Sequence, residues 1–425
     1  MPVTFSRQLL RRSILRVQTW LRREQGRLTR VAAAEPYKAH VLTAPQMAAL
    51  GASLARQHRL AKHQRPDALL ARLSANARVL QEVHAALAAT VVAGKTVTPA
   101  GEWLLDNYYL IEEEIRLARR LMPLGYSRAL PQLEGGPSAG LPRVYDLALQ
   151  VIAHSDSAID LLSLSGFIAA YQRTAPLKLG ELWAIPIMLR LALIENLRRI
   201  GARIAEANAD RRLANRWADA MQEAAKNEPA DLILLVADMA RSGVPMTSAF
   251  VAEFARRLQA NPAVLGLPLT WVEQHLSSSN QSIDELVQME IANQAAAQLT
   301  VSNSITSLRL LDKHDLTEFV EALSLVEQEL YEDPAEIYAS MDFATRDAYR
   351  HVVERLARMG THSEQEVARA AVELAREAAA SDTQDADPRH KHVGYYLLDR
   401  RGLARLERVL EVRRPWLQRL RGFFA

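Results

Sequence analysis

The chain has 425 residues, of which 49% are hydrophobic and 24% charged, with 17 glycines and no cysteine. Without cysteine the chain has no disulfide, no thiolate metal site and no cysteine nucleophile. Strong helix formers are abundant and glycines are few, which predicts an all-α fold without a significant sheet. The net charge of +3 is the balance of two basic ends and an acidic stretch at 31–399, which argues against a nucleic-acid partner.

The amino-terminal segment, residues 1–30, contains eight arginines and a single glutamate. Leu10, Ile14 and Leu21 recur among the arginines at helical spacing, which predicts a basic amphipathic helix. Such a helix is typical of a transit peptide, or of a segment that binds anionic lipid or an acidic protein. We expect a helical subdomain at 31–124 to follow it.

One helix is predicted from Thr98 onward, because threonine is a good N-cap and proline is favoured in the first helical turn. Its polar stripe holds Glu102, Asp106 and Glu113, followed by arginines. Acidic residues near the start of a helix and basic residues near its end interact favourably with the helix dipole. This order favours the interpretation of the stripe as a solvated face. The alternative is an acid/base cluster for glycoside chemistry, which needs two carboxylates at a defined separation.

The segment GELWAIPIMLRLALIENLRR predicts a long helix, from Gly180 to about residue 207, that is apolar nearly all round in its first half. Arg190 is the one charge in the apolar run, and with Glu195 it keeps that run shorter than a membrane span. A buried guanidinium costs several kcal/mol unless a carboxylate pairs with it, so an interior acid is expected. Glu114 is the first candidate and Asp156 the second.

Asn107 and Glu114 lie between two apolar rows of the helix from Thr98, so both should be buried. The sequence therefore predicts a buried polar network of Arg190, Glu114, Asn107 and Asp156, and a structural role is favoured over a site for a substrate anion. A possible glycan or partner surface is predicted at Trp183, Tyr145 and Arg143, beside the irregular segment 125–146, which is also a candidate domain boundary.

The rest of the chain is predicted as a main helical domain at 147–380, in which short hairpinned helices surround the long central apolar helix. A mobile linker at 381–392 and basic carboxy-terminal helices at 393–425 should follow. The segment VSNSITSLRLL, which is rich in poor helix formers, predicts a polar helix contact, a bend or a sugar-facing surface. AHSDS lacks the strand-to-helix elbow of a hydrolase serine.

Motif searches of the sequence find no Walker loop, zinc-ligand spacing or dinucleotide fingerprint. The short acidic pair at Asp385 and Asp387 matches a metal-binding pattern of sugar-nucleotide transferases, but no strand precedes it, so chance explains it. We therefore expect no metal site, no cofactor and no catalytic residue in this chain.

Seven segments, taken together and in this order, resemble the amino-terminal region of the cyclic β-1,2-glucan synthases between about residues 95 and 402. They are AGEWLLDNYYLIEEEI, GLPRVYDLAL, AHSDS, GELWAIPIMLRLALIENLRR, VSNSITSLRLL, MDFATRDAYRHVVERLAR and HVGYYLLDRRG. Those synthases are large bacterial inner-membrane proteins that build β-1,2-glucan from UDP-glucose and close it into a ring. In the family this helical region precedes the membrane segments and the transferase, and none of its catalytic residues maps here.

The resemblance implies a cytoplasmic scaffold or regulatory fragment whose partners are the remaining domains of a synthase. It also implies that the basic ends contact the anionic cytoplasmic face of the inner membrane. Two alternatives stay open: an autonomous carbohydrate-active enzyme that uses Glu102, Asp106 or Glu113, and a helical module that binds β-1,2-glucan or a protein partner.

Overall fold

The computed structural model describes residues 39–63, 65–66, 68–123, 125–259, 262–313, 316–380 and 387–412. The predicted amino-terminal helix, the first half of the predicted linker and the carboxy-terminal residues 413–425 lie outside these ranges. Within them the chain is helical and forms no sheet, and isolated bridges pair Leu60 with Leu133 and Gln132 with Pro142. The all-α fold class is confirmed.

The described residues contain eighteen α-helices. They are α1 (Ala44–Gln57), α2 (Leu69–Val92), α3 (Pro99–Asp106), α4 (Tyr108–Leu121), α5 (Tyr126–Ala129), α6 (Arg143–His154), α7 (Leu161–Gln172), α8 (Leu179–Asn227), α9 (Asp231–Arg241), α10 (Ser248–Leu258), α11 (Pro262–Ser277), α12 (Ile283–Lys313), α13 (Thr317–Leu323), α14 (Leu325–Leu330), α15 (Phe343–Met359), α16 (Glu364–Ala380), α17 (Val393–Leu398) and α18 (Arg400–Val409).

The helix predicted from Thr98 begins as expected, with Thr98 at the N-cap and Pro99 in the first turn. It does not continue as one helix, because Asn107 leaves the helical conformation at φ −108° and separates α3 from α4. The Asn107 side-chain amide donates to the Trp103 carbonyl at 2.9 Å. Local bonds of this kind compete with the helical backbone ladder, which explains the break.

Two helices are much longer than the sequence predicted. α8 has 49 residues and runs to Asn227 rather than ending near 207, and α12 has 31 residues where short helices were expected. α8 is apolar only in its first part, since charged residues such as Arg203 and Arg211 follow. None of the described helices is both long enough and apolar enough to span a membrane.

The buried apolar side chains form three cores. The first combines α1 to α4, α6, α7 and the first half of α8 with the second half of α12 and with α13. The second packs α9, α10 and α11 against the second half of α8 and the start of α12. The two long helices therefore connect these cores, and the first core draws on residues from both sides of the segment 125–146.

The third core is built from α14 to α18 and attaches at the start of α8. Leu179, the first residue of α8, packs into it, and the Leu179 N–H donates to the Glu364 carboxylate at 2.6 Å. Ser363 and Glu366 form the predicted capping box of α16, with the Ser363 N–H donating to Glu366 at 2.7 Å. The beginnings of α8 and α16 thus meet where the first and third cores join.

Candidate functional site

Arg190 lies inside the first core, with 7% of its surface exposed, and contacts Glu114, which is 1% exposed. Its Nε donates to Glu114 Oε2 at 2.9 Å, and a terminal nitrogen donates to the Leu311 carbonyl at 2.5 Å. Burial raises the pKa of Glu114 above its ordinary value, and Arg190 offsets this only in part. The contact is a closed ion pair, and neither residue lines a cavity described below.

The other two members of the predicted buried network contact α12 and not Arg190. Asn107 accepts a hydrogen bond from Arg309 at 2.6 Å. Asp156 accepts from Thr300 Oγ1 at 2.6 Å, and its backbone carbonyl accepts from Asn303 at 3.0 Å. The four residues therefore belong to three separate contacts, which share α12 as a common partner.

The segment VSNSITSLRLL lies within α12 and supplies these contacts. Besides Thr300 and Asn303, Ser307 donates to the Ser157 carbonyl at 2.7 Å and accepts from the Ile159 N–H at 2.9 Å. Of the three interpretations of this segment, the polar helix contact is the one that the structure shows.

A cleft of about 990 Å³ lies at the junction of the first and third cores. Its lining comes from the residues after α1, from α5, the start of α6, the turn before α8, the first turns of α8, the start of α14, α15 and the start of α16. Pockets for small ligands usually measure about 300 to 1,000 Å³, so this one is large enough for a ligand of several rings. It is the candidate functional site.

Arg143 and Glu181 form a bidentate ion pair in the cleft. Nε and a terminal nitrogen of Arg143 each lie 2.6 Å from an oxygen of Glu181, and the same terminal nitrogen donates to the Pro176 carbonyl at 2.7 Å. Burial opposes the charge of Arg143, but the bonds to Glu181 outweigh burial and raise the pKa of the guanidinium. Glu181 also accepts from the Lys178 N–H at 3.0 Å, which caps α8.

A second polar chain begins at His58, which lines the cleft. His58 Nδ1 lies 3.0 Å from the Tyr171 hydroxyl, and His58 Nε2 lies 3.3 Å from Asp146. Ser138 donates to the same carboxylate. Burial acts to raise the pKa of Asp146, but the bonds from His58 and Ser138 outweigh it and lower that pKa.

Arg350, on α15, is the most heavily paired cation of the cleft and is 2% exposed. It donates to Glu321 at 2.6 Å, to Glu327, and to Asp347 at 3.1 Å. Burial opposes its charge, but the bonds to Glu321 and Glu327 prevail and raise the pKa of Arg350. Three carboxylates therefore hold this guanidinium in one position.

An aromatic pair stands beside Arg350. The ring centroids of Trp183 and Phe343 are 5.7 Å apart with an interplanar angle of 76°, and Phe343 is 41% exposed. The Arg350 guanidinium carbon lies 4.7 Å from the Phe343 centroid and 5.5 Å from that of Trp183. These are cation–π distances, so the fixed cation also orients both rings.

Of the residues predicted for a glycan or partner surface, Trp183 and Arg143 line the cleft and Tyr145 does not. The surface assignment of Tyr145 is wrong, because it is 1% exposed and its hydroxyl donates to the buried Glu195 at 2.7 Å. Arg143 reaches the cleft although it is 5% exposed. It is the first residue of α6, and its contacts with Glu181 and the Pro176 carbonyl account for its burial.

The sequence reasoning missed Phe343, Arg350, Glu354 and Glu364. A weak signal exists for Arg350, because MDFATRDAYRHVVERLAR places it on the same helical face as Val353. Phe343 follows the N-cap Asp342, so its exposure at the start of a helix gave no periodic signal. What brings these residues to Trp183 is contact between distant elements.

A smaller cavity of about 350 Å³ lies among α3, α8, α10 and α12. Asp210 lines it, accepts from the Thr247 hydroxyl at 2.8 Å, and has a pKa raised to about 6, chiefly by burial. Arg211 pairs with Glu290 at 2.8 Å instead of with Asp210. Among the described residues, no group of three or more His, Asp or Glu side chains could hold a metal ion.

No protein-family model matches the chain. The chain is 34% identical over 344 residues to the cyclic beta-(1,2)-glucan synthase NdvB of Rhizobium meliloti. The match covers 81% of this chain and 12% of that protein, so the chain spans only a small part of the length of the relative it matches.

Proposed function

From the premise that this chain is a relative of a cyclic β-(1,2)-glucan synthase, we propose that it acts as a helical scaffold or regulatory region in glucan synthesis and does not catalyse sugar transfer itself. The observation that carries the proposal is the 34% identity, which extends over 81% of the chain. In this proposal the apolar first part of α8 is the central element around which the shorter helices pack, and no cofactor takes part.

The position of the charged residues supports a scaffold. Arg190 is satisfied by Glu114 and by the Leu311 carbonyl inside the first core, so its charge stabilises packing and is not available to a substrate. Glu102, Asp106 and Glu113, which the enzyme alternative needs, are exposed on α3 and α4 and line neither of the two cavities. An acid/base mechanism needs two carboxylates on either side of one bond, so carboxylates outside both cavities support the scaffold over the enzyme alternative.

The proposed location is the cytoplasmic face of a bacterial inner membrane. Eight arginines at 1–30 and eight at 400–425 would contact anionic headgroups, and each charge near such a surface contributes about 1 kcal/mol. The proposed partners are the remaining domains of a synthase. This part of the proposal depends on the charge distribution and on the similarity to the synthase.

The first experiment incubates the pure chain separately with UDP-glucose and with linear β-1,2-glucan and analyses the products by chromatography. We expect no product from either substrate. Product formation by the chain alone would support the enzyme alternative and end the scaffold proposal.

The second experiment replaces the matching region of the Rhizobium meliloti synthase with this chain and measures glucan made from UDP-glucose in membranes. The chimera should retain activity, whereas a synthase from which the region is deleted should lose it. Unchanged activity of the deletion variant would show that the region is dispensable and would contradict the proposal.

A further inference from the structure

The charges of the large cleft are balanced. Four Lys or Arg side chains and four Asp or Glu side chains line it. Arg143 is paired with Glu181, Arg350 with three carboxylates, and Arg358 with Glu354 at 2.5 Å. Because three of the four cations are already paired and the acidic side chains equal the basic ones in number, the cleft has little excess positive charge for a phosphate or a nucleotide.

The cleft nevertheless offers many hydrogen-bonding groups. A paired guanidinium keeps N–H groups that its carboxylate does not use, and a paired carboxylate keeps free lone pairs. Tyr126 also lines the cleft, and burial raises the pKa of its hydroxyl, so it remains a neutral phenol that can both donate and accept. A ligand rich in hydroxyl groups, which donate and accept as well, matches this mixed surface better than an anion does.

The aromatic pair adds an apolar platform. Phe343 is 41% exposed in the cleft, and its ring is held by the edge contact with Trp183 and by Arg350 behind it. A sugar ring carries a face of C–H groups that packs against such rings, while its hydroxyls point to the sides. Since Arg350 is fixed by three carboxylates, little side-chain freedom is lost when a ligand contacts the platform.

We propose that this cleft is a binding site for a neutral oligosaccharide, with one sugar ring on Phe343 and Trp183 and its hydroxyls bonded to the more exposed ion pair Arg358–Glu354. The neutral oligosaccharide class follows from the cleft itself. The choice of β-1,2-linked glucan as the ligand rests on the proposed function. The site would hold a glucan chain while other domains act on it.

The test is calorimetric titration of the full chain with linear β-1,2-gluco-oligosaccharides and, separately, with UDP-glucose. The oligosaccharides should bind, and UDP-glucose should bind more weakly or not at all. Phe343→Ala should weaken oligosaccharide binding about tenfold, as expected for a central aromatic contact.

Tyr109→Ala is the matched control, because Tyr109 is an exposed aromatic residue on α4, 61% exposed, that lines neither cavity. It should leave the affinity unchanged. Phe343→Tyr, which keeps the ring, should bind like the original chain, and the unfolding midpoints of all variants identify any loss of affinity that comes from misfolding.

Absence of oligosaccharide binding, equal binding by the Phe343→Ala variant when it is folded, or tighter binding of UDP-glucose would each overturn the inference. None of these outcomes alters the result expected from the synthase chimera. Failure of this site and failure of the scaffold proposal are therefore separate observations.

Discussion

The Arg190 contact and the cleft around Arg350 use the same chemistry in different surroundings. Arg190 has one carboxylate and one carbonyl, both inside the first core. Arg350 has three carboxylates, and one of them, Asp347, has a side chain that is 36% exposed. The first contact joins α4, α8 and α12, whereas the second stands at the edge of an open cavity. Arg350 is no more exposed than Arg190, so what distinguishes the two contacts is position: Arg350 and Asp347 line the cleft, whereas Arg190 and Glu114 line no cavity described here.

The largest effect is expected for Arg190→Ala, which should lower the free energy of unfolding by about 3 to 5 kcal/mol, because Glu114 is left buried without its partner. Urea denaturation at neutral pH measures it. The pKa of Glu114 is already raised in the fold and would rise further, so this carboxyl is protonated more readily when folded than when unfolded. The stability lost in Arg190→Ala should therefore be smaller at acidic pH, where Glu114 is protonated, and should reach its full value at neutral pH.

A double variant, Arg190→Met with Glu114→Leu, serves as the control, since it removes both charges and keeps the volume. It should be much more stable than Arg190→Ala alone. Exposed ion pairs contribute less than about 1 kcal/mol. If Arg190→Ala lowers the free energy of unfolding by no more than that, the Arg190–Glu114 contact is open to solvent and does not differ from the contacts at the cleft.

Arg350→Ala should cost less, about 2 kcal/mol, because two of its carboxylate partners keep other bonds and the third, Asp347, is partly exposed. Glu321 retains Arg346 at 2.8 Å, and Glu327 retains the Tyr338 hydroxyl at 2.9 Å. Thermal unfolding of both arginine variants, measured side by side, checks the order. A larger loss for Arg350→Ala than for Arg190→Ala would reverse the distinction between core and cleft.

Asp210 lies between the buried contact of Arg190 and the cleft in its surroundings, because it is a partly buried acid that lines the smaller cavity and forms no ion pair with another described residue. Its pKa is raised from 3.8 to about 6, so folding is favoured by protonation and this contribution is lost as the pH rises through 6. Such a shift is worth at most about 3 kcal/mol, and solvent at the cavity reduces it to about 1 kcal/mol. Asp210→Asn should therefore stabilise the chain at pH 7.5 and not at pH 3.5. Equal effects at the two pH values would show that Asp210 is not desolvated.

The smallest effect is expected for Glu113→Gln, which lies next to Glu114 on the exposed side of α4. Surface substitutions of this kind change stability by less than about 0.5 kcal/mol. Urea denaturation, compared with Glu114→Gln under the same conditions, separates the two neighbours. A large effect at Glu113 would place the wrong carboxylate inside the core.

The sequence predicted some features of the candidate site and not others. Trp183 and Arg143 were proposed for a surface and do line the cleft, although Tyr145 was assigned there wrongly. Tyr145 and Arg143 are close in the sequence, but only the packing of distant elements decides which of the two lies beside the cleft. Phe343 was not predicted, because an aromatic residue at a helix start has no periodic partner.

What the sequence by itself determined is local: the helical class, the caps at Thr98 and Ser363, and the interior side of α4 and α8, which carries Glu114 and Arg190. These features depend on residues within a few turns of one another, where propensity and the helical period apply. The tertiary structure alone decided that α8 continues through two cores, that α12 joins three polar contacts, and that the cleft lies between the first and third cores. Such features depend on contacts between distant segments, whose relative positions are set by the packing of whole apolar faces and not by any local pattern.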